Sequence, residues 1–322
     1  MLTLLLSSSD SDIAYAAKLL QEGETVAFPT ETVYGLGACI FDEAAVKKIF
    51  AAKGRPSDNP LIAHISAPEQ AAEIARDIPT EYDVLSEAFF PGPLTVVLRR
   101  KSNVPAIVSG GLDTIAIRMP AHSAALKLIE QAGQPVVAPS ANKSGRPSPT
   151  CAKHVLDDLN GEIAAVIDGG ECDVGIESTV VSLIDLERPP VILRPGSISA
   201  EEIAAALQCS VEYSTDKDVA ASPGVRYRHY APNAKVELVF PMQKIPEIGN
   251  CSVVLASSPP QEIPSSAEFR FLSAATLYAE LRRADKKNVS AIFILLTPDI
   301  TAQTGLMNRL TKAACIADEP QK

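Results

Sequence analysis

Apolar and polar positions follow each other along the chain with two different spacings. Between Ile13 and Leu20 the apolar residues recur every three or four positions, which is typical of one face of a helix. Asp10 and Asp12 offer capping groups before this stretch, and Gly23 follows it. The same pattern predicts helices from residue 42 to residue 54, at 123–132 and 200–207, and near the C-terminus at 277–283 and 305–314.

Short apolar runs rich in β-branched residues lie between these helices and predict strands. In the first two thirds of the chain they lie at 25–28, 61–65, 94–98, 115–118, 136–138, 164–167, 179–184 and 191–193. In the last third they lie at 235–240, 252–256, 269–272 and 291–296. Several neighbouring strands are joined by loops too short for a helical crossover, so we expect a mixed sheet rather than a wholly parallel one.

The order of these elements divides the chain into two α/β domains and a connecting segment. We predict an N-terminal domain at 1–208, with a strongly twisted mixed β-sheet and helices, and a small doubly wound, Rossmann-like α/β domain at 233–322. Residues 209–232 between them contain turn-forming residues, yet their 222–232 part also holds Tyr227, a second tyrosine, two arginines and a histidine. This composition is unusual for a solvated tether and favours a lid that folds over a charged site.

Composition and charge exclude several classes of protein. The chain has 322 residues, of which 46% are apolar and 21% charged, as expected for a globular protein rather than a disordered or coiled-coil one. The net charge is −10 and the pI is near 5.0, so the overall field does not attract nucleic acid. A site for a polyanion must therefore be a local cluster of basic residues.

Cysteine spacing and the N-terminal sequence bear on the compartment. The six cysteines lie far apart, without the spacing of a zinc or dithiol site, which favours buried thiols in a reducing compartment. The apolar opening, residues 1–6, has no basic start and is too short for a signal peptide or a membrane span. We therefore expect a cytoplasmic protein that does not contact a membrane.

Polar and glycine-rich segments follow several predicted strands, where α/β proteins usually build their sites. The segment at 29–37 is either a structural turn or a set of hydroxyls on a backbone that a ligand can approach. Lys53 and Arg55 suit a triphosphate, but the helix dipole would also favour two cations at a helix C-terminus. His64 stands in an apolar run, where a histidine is either a core residue or a ligand-binding one.

Further candidate groups lie at 138–148 and 175–179, and at Thr114, Arg118 and Arg194. The 138–148 segment places hydroxyls, an amide and two cations in one loop, which can hold phosphates although it lacks the P-loop pattern. Arg118 and Arg194 each end an apolar strand, where a buried arginine needs a carboxylate, a phosphate or solvent. Cations and hydroxyls outnumber candidate bases, which favours phosphoryl or nucleotidyl transfer.

These segments, in this order, closely resemble the threonylcarbamoyl-AMP synthase family in its long form, a YrdC-like domain with a C-terminal extension domain. The C-terminal part matches only loosely, chiefly at 305–310, and Val225 and Arg226 stand where methionine and lysine are common. The matching pieces are 29–37, 53–56 (the family's Lys-x-Arg), 140–142 (its Ser-x-Asn), 177–179, 193–196 and 222–232.

The resemblance implies that L-threonine, bicarbonate and ATP give threonylcarbamoyl-AMP and pyrophosphate, with Mg²⁺ accompanying ATP and no metal ligated by the chain itself. The product would serve N6-threonylcarbamoyladenosine formation in tRNA, through downstream threonylcarbamoyl-transfer proteins and at most weak tRNA contact. No covalent nucleophile is expected, and Lys53 and Arg55 would stabilise the developing charge. The implied threonine-binding residues are Thr32, His64, Arg118, Ala138 and Ser178. The implied ATP-binding residues are Lys53, Arg55, Asn59, Thr114, Ser140, Asn142, Ser148, Arg194 and Tyr227.

Two other functions stay open at the level of sequence. An RNA-binding module could line a basic concavity with Lys53, Arg55, Lys143 and Arg146. It would bind RNA without threonine, and its affinity would fall steeply with salt. A carbamoyl transferase that uses carbamoyl phosphate also contains a YrdC-like domain, but such proteins carry an acylphosphatase-like domain and zinc-finger cysteines that this sequence lacks.

Overall fold

The computed structural model describes residues 2–214, 231–240, 243–245 and 252–314. They form two compact units: the first contains the described residues up to 144 and those from 148 to 214, and the second contains 145–147 and the described residues from 231 onward. Most of the predicted lid therefore lies outside the described residues. Its residues 212–213, however, form a strand of the first unit.

The first unit alternates strands and helices through its length, with short 3₁₀ helices at Pro68–Gln70 and Ala106–Ser109. Its helices are α1 (Asp10–Gln21), α2 (Glu43–Lys53), α3 (Ala71–Ile74), α4 (Thr80–Phe89), α5 (Ser123–Ala132), α6 (Ala152–Leu159) and α7 (Ala200–Leu207). Its strands are β1 (Leu4–Leu6), β2 (Val26–Phe28), β3 (Gly35–Cys39), β4 (Ile62–His64), β5 (Ala75–Arg76), β6 (Leu94–Arg100), β7 (Thr114–Arg118), β8 (Val136–Val137), β9 (Ala165–Ile167), β10 (Thr179–Ser182), β11 (Val191–Arg194) and β12 (Glu212–Tyr213).

The strands of the first unit form one mixed sheet. Their order is β1-β9-β2-β3-β8-β4-β7-β6-β10-β11-β12, and β5 pairs with β6. β4 and β7 run parallel, whereas β6 and β7 run antiparallel. The prediction of a mixed sheet is therefore confirmed, and it places the ends of β4 and β7 side by side.

Local capping explains where the first helices begin and end. The hydroxyl of Ser9 accepts a hydrogen bond from the amide of Asp12 at the start of α1. At the start of α2, Asp42 Oδ1 accepts from the amide of Ala45 at 2.9 Å. Gly54 ends α2 with φ +60°, a conformation that favours glycine, so the chain turns immediately after Lys53.

Apolar side chains fill both faces of the large sheet. On one face, Ile13 and Leu20 of α1 and Leu128 of α5 belong to one buried cluster with Phe28 of β2. Fully burying such a side chain contributes about 1.5–3 kcal/mol relative to leaving it exposed. A second cluster packs α2 and α4 against the sheet and includes Ile49. The core therefore fixes the strands whose ends carry the candidate site.

The strand β3 corrects the interpretation of the last part of the 29–37 segment. The sequence suggests a turn or a ligand-contacting backbone there; residues 29–34 lie outside the strands and helices, but Gly35 and Gly37 lie in β3, paired antiparallel with β2. A Cβ atom on Gly37 would lie 2.9 Å from side-chain atoms of Phe28 and Val136. These glycines therefore admit neighbouring core side chains. β1, α4 and α6 also fall outside the predicted elements.

The second unit is a small parallel α/β fold. Its strands are β13 (Lys235–Val239), β14 (Ser252–Ala256), β15 (Ala267–Phe271) and β16 (Ala291–Leu295), and its helices are α8 (Leu277–Lys286), α9 (Pro298–Thr301) and α10 (Thr304–Ala314). The sheet order is β13-β16-β14-β15, and every pair among these strands is parallel. This arrangement confirms the predicted Rossmann-like class.

Candidate active site

Arg118, the last residue of β7, is the centre of a buried polar group. Its side chain is only 4% exposed. Nη1 donates to the hydroxyl of Thr32 at 2.8 Å, Nε donates to the carbonyl of Gly92 at 3.3 Å, and Nη2 lies 2.7 Å from Glu31 Oε1. The guanidinium is thus held from three directions, and a carboxylate neutralises its charge.

The residues before β3 supply two of these three partners. Thr30 Oγ1 accepts hydrogen bonds from the amides of Thr32 and Val33, and it lies 2.9 Å from the hydroxyl of Thr32. Glu31 Oε2 accepts from the amide of Ala121 at 3.0 Å. The turn thereby fixes Thr32 and Glu31 against Arg118. The sequence alone indicates no role for Glu31, because nothing local identifies its distant partner.

His64 ends β4 beside Arg118, since the two residues are paired in the parallel register of β4 and β7. It is 3% exposed, its Nδ1 lies 3.2 Å from the carbonyl of Ile62, and its ring meets that of Phe28 edge-on. Burial, together with the nearby positive charge of Arg118, lowers the pKa of His64 to about 3. At neutral pH the imidazole is uncharged, so it can serve as a hydrogen-bonding group in the core.

Ala138 directly follows β8 and lies beside the start of β4, two residues before His64. Its amide donates to the carbonyl of Ile62 at 2.9 Å, and it is buried. β8 pairs antiparallel with β4, with Val136 opposite His64. The structure therefore brings Thr32, His64 and Arg118 together at the ends of β4 and β7, with Ala138 beside the start of β4.

Ser178 is connected to this neighbourhood through the start of β6. Its hydroxyl lies 2.7 Å from that of Thr95, and Arg194 Nη2 donates to its carbonyl at 2.9 Å. The chain before β6 spans the interval to Arg118: Gly92 accepts from Arg118 Nε, and the next residue, Pro93, accepts from the amide of Thr179. One short segment therefore fixes both Arg118 and the residues around Ser178.

Ser148 is held by a carboxylate that adjoins Ser178. Its hydroxyl donates to Glu177 Oε1 at 2.5 Å, and both residues are buried. Ser148, Glu177, Ser178 and Arg194 thus form one continuous set of contacts. The sequence indicated the 175–179 segment without identifying Glu177 as the partner of Ser148.

Lys53 connects α2 to the Ser-x-Asn segment. It is 2% exposed, and its Nζ lies 2.5 Å from the carbonyl oxygens of Ser140 and Asn142. The carbonyl of Lys53 in turn accepts from the amide of Ser144 at 2.8 Å. The structure therefore brings the predicted Lys53, Ser140 and Asn142 together directly.

Arg55, Asn59 and Thr114 lie at the other end of β4 and β7. Arg55 Nη2 donates to the carbonyl of Pro60 at 3.2 Å. Asn59 is 1% exposed, and within the described part of the chain neither atom of its amide group has a hydrogen-bond partner. Thr114 begins β7, whose other end is Arg118, so the two lie roughly 13 Å apart at the rise of a strand. These three predicted ATP-binding residues thus lie at the opposite ends of β4 and β7 from His64 and Arg118.

Of the residues predicted to bind a ligand, one lies outside the described residues and another contacts the chain itself. Tyr227, the predicted lid residue, lies outside the described residues. Lys143, a candidate for a basic concavity, donates to the carbonyl of Ala52 at 2.7 Å and so contacts the chain itself.

Within the described ranges, no cluster of three or more histidine, cysteine, aspartate or glutamate side chains could hold a metal ion. No helix in those ranges combines the length and apolar character needed to cross a bilayer.

Two family models match consecutive parts of the chain. A model described as "Telomere recombination" matches residues 18–196. A model described as "Threonylcarbamoyl-AMP synthase, C-terminal domain" matches residues 198–315. Together they cover the described residues except 2–17 and Ser197.

Curated and solved proteins resemble the chain over nearly its full length. A Pyrococcus abyssi protein named threonylcarbamoyl-AMP synthase is 45% identical, covering 94% of both chains. A Bacillus subtilis protein of the same name is 43% identical, covering 96% of this chain and 94% of that protein. The crystal structure of Pyrococcus abyssi Sua5 complexed with L-threonine matches with a TM-score of 0.87 and 42% identity, covering 98% of both chains.

Proposed function

The chain belongs to the threonylcarbamoyl-AMP synthase family, and from this premise we propose which groups bind its substrates. It is an enzyme that makes threonylcarbamoyl-AMP, and its activity serves tRNA modification. We propose that the substrates are L-threonine, bicarbonate and ATP, and that pyrophosphate is the second product. A relative binds L-threonine in its crystal structure, which supports the choice of amino acid.

The observation that carries this assignment is the buried guanidinium of Arg118, surrounded by Thr32, Gly92 and Glu31. A planar, permanently charged fork is suited to the carboxylate of an amino acid. Neutral His64 stands beside it in register and can hydrogen-bond a hydroxyl group without adding charge. Together with Ala138 and Ser178, these groups form the proposed threonine site.

We place ATP along the remaining cations and amides. Lys53 and Arg194 are buried cations, and the unpartnered amide of Asn59 is a polar group for which a ligand would supply hydrogen bonds. Arg55 and Thr114 lie near Asn59 at the same edge of the sheet. The remaining proposed ATP contacts are Ser140, Asn142, Ser148 and, in the lid, Tyr227.

The chemistry requires positioning and charge stabilisation. Threonine's amine and bicarbonate form a carbamate, and a carbamate oxygen attacks the α-phosphorus of ATP, which releases pyrophosphate. Lys53 and Arg55 would offset the negative charge that develops on the leaving group. Holding the labile carbamate beside the phosphorus and away from water would supply much of the rate enhancement. No residue needs to act as a covalent nucleophile.

We propose that Mg²⁺ reaches the site bound to ATP. The described residues offer cations and hydroxyls around the proposed phosphate positions and no carboxylate cluster, which fits a metal held chiefly by the phosphates. Mg²⁺ would neutralise phosphate charge there. We further propose that the enzyme works in the cytoplasm, where ATP and tRNA are available, and passes its product to a threonylcarbamoyl-transfer protein.

The test is pyrophosphate release from ATP by the purified full chain. Threonine and bicarbonate are supplied together and then omitted in turn, and the product is identified by mass spectrometry. We expect release only when both are present, with threonylcarbamoyl-AMP as product. Pyrophosphate release without threonine would contradict the proposal. So would the absence of release under every combination of substrates, accompanied by salt-sensitive RNA binding.

A further inference from the structure

Glu31 is a buried carboxylate whose role the proposed contacts leave unassigned. It is 7% exposed, and its Oε2 accepts a hydrogen bond from the amide of Ala121. Its Oε1 lies 2.7 Å from Arg118 Nη2, but within the described residues neither of these two atoms makes a correctly oriented hydrogen bond. A charged oxygen therefore keeps unused acceptor capacity beside an arginine that keeps unused donor capacity.

Burial makes this unused capacity significant. An ionised carboxylate in the interior is stable only when charges and hydrogen bonds compensate its lost hydration. Arg118 supplies the opposite charge, while its own hydrogen bonds go to Thr32 and Gly92. The pair is thus balanced in charge and incomplete in hydrogen bonding. A ligand that accepts from the guanidinium and donates to the carboxylate would complete both groups.

A free α-amino acid has this complementary chemistry. Its carboxylate and ammonium group are attached to the same carbon, so they can contact an adjacent guanidinium and carboxylate at the same time. The pair Arg118–Glu31 carries no net charge, which matches a zwitterion better than it matches a simple anion. His64 adds no charge at neutral pH, because its pKa is lowered to about 3.

Building on the proposed function, we propose that Glu31 is a catalytic residue: it binds the ammonium group of threonine opposite Arg118 and accepts the proton released when the carbamate forms. The ammonium ion and bicarbonate react to give the carbamate anion, one water molecule and one proton. A C–N bond forms, a C–O bond of bicarbonate breaks, and the oxygen leaves as water. The released proton converts the Glu31 carboxylate to the acid.

Three titratable groups near Glu31 do not compete for this proton. Arg118, on β7, carries a guanidinium, which has donors and no acceptor. Cys172, in the segment after β9, is near enough for the charge of Glu31 to act on it, and burial raises its thiol pKa to about 12. His64, on β4, faces Arg118 and is neutral above about pH 3. Among these neighbours, Glu31 is the carboxylate available as a base.

The test compares wild type with Glu31→Gln in threonine binding and in the pH dependence of product formation. Glutamine keeps the size and can still accept from Ala121, but it removes the charge and the proton acceptor. We expect kcat/KM for threonine at pH 7 to fall about 100-fold, within the range for general-base residues. The free-amine fraction of threonine rises about tenfold per pH unit below the pKa of its amine, so the ratio of variant to wild type should rise with pH.

Two further variants separate this role from a purely structural one. Glu31→Asp keeps a base and should retain more activity than Glu31→Gln at pH 7. Glu177→Gln alters another buried carboxylate, and its activity relative to wild type should not change with pH. Thermal unfolding of each variant identifies any that fail to fold. If Glu31→Gln does not fold, the threonine affinity and the pH profile of Glu31→Asp decide.

The outcomes also distinguish this inference from the proposed function. Suppose that wild type makes product. If Glu31→Gln then binds threonine with wild-type affinity, or if the ratio of its activity to that of wild type is constant from pH 7 to 9, the role of Glu31 is wrong and the proposed function stands. If wild type neither binds threonine nor releases pyrophosphate, both are wrong. Alkaline recovery confined to Glu31→Gln supports both.

Discussion

Arg194 holds Ser178 with two of its nitrogens: Nε and Nη2 lie 3.2 and 2.9 Å from the serine carbonyl oxygen, and Nη2 also lies 3.2 Å from the serine hydroxyl. Gly196 makes this approach possible, because a Cβ atom there would lie 2.3 Å from the amide nitrogen of Thr179. In our assignment Arg194 contacts ATP and Ser178 contacts threonine. The pair therefore joins the two proposed substrate sites.

The first prediction concerns this connection. Arg194→Lys keeps the charge but loses the fork, so it should raise KM for both ATP and threonine. Losing a hydrogen bond of a charged group costs about 1.5–3 kcal/mol, which corresponds to roughly 10–100-fold. Arg118→Lys, whose partners all lie in the threonine group, should raise KM for threonine alone. Pyrophosphate-release kinetics with each substrate varied in turn gives both KM values for each variant. If Arg194→Lys raised the KM for ATP alone, the connection between the two substrate sites would be refuted.

A second prediction follows from the unpartnered amide of Asn59. Asn59→Leu removes a buried polar group of similar size, so the free energy of unfolding should rise by about 1–2 kcal/mol. The same change should raise KM for ATP at least tenfold if ATP supplies the missing hydrogen bonds. Asn142→Leu is the matched control: its amide nitrogen donates to the carbonyl of Lys143, so this variant should lose stability. Urea unfolding and ATP kinetics test the pair, and a destabilised Asn59→Leu would contradict the expectation.

Elements with a clear local signal were predictable from the sequence. Helix α5 has the predicted bounds because its apolar face recurs at helical spacing and Gly133 ends it with φ +73°. Strand β3 was not predictable in the same way, since Gly35 and Gly37 have low strand propensity. Their place depends on the side chains of Phe28 and Val136, which pack against them in the folded sheet. That information is absent from the local sequence.

The candidate site was predictable as a set of residues but not as a set of contacts. Lys53 and Asn142 are 89 positions apart in the chain, and Arg118 and Thr32 are 86 apart. The family resemblance indicated these residues, whereas their mutual contacts depend on strand order and register. For the same reason the sequence did not reveal Glu31 as the counter-charge of Arg118.

A third prediction concerns acid stability. The pKa of His64 is about 6.5 in an unfolded chain and is lowered to about 3 by burial and by Arg118 in the folded one. Between these values the unfolded state binds a proton that the folded state does not, so stability falls as the pH falls below 6.5. From pH 7.5 to pH 5 this single group should cost about 2 kcal/mol.

The comparison of His64→Gln with wild type isolates this contribution. Urea unfolding at both pH values should show a smaller loss of stability on acidification in the variant. Phe28→Leu is the control, because it removes packing against His64 without removing the titrating group. It should lower stability at both pH values and keep the wild-type loss on acidification. An identical loss in His64→Gln and wild type would show that the imidazole is protonated in the folded protein.

The last prediction concerns the stability of the Arg118–Glu31 pair. Arg118→Ala leaves a buried carboxylate without its counter-charge, which should lower the free energy of unfolding by about 3–5 kcal/mol. Adding Glu31→Gln removes that charge, so the double variant should be more stable than Arg118→Ala although it carries one more substitution. A double-mutant cycle by urea unfolding measures this coupling. Calorimetry should show that threonine binding is lost in the double variant while ATP binding is retained. Additive losses of stability would show that the pair does not act as one unit. Equal losses of affinity for threonine and ATP would show that Arg118 is not specific to threonine.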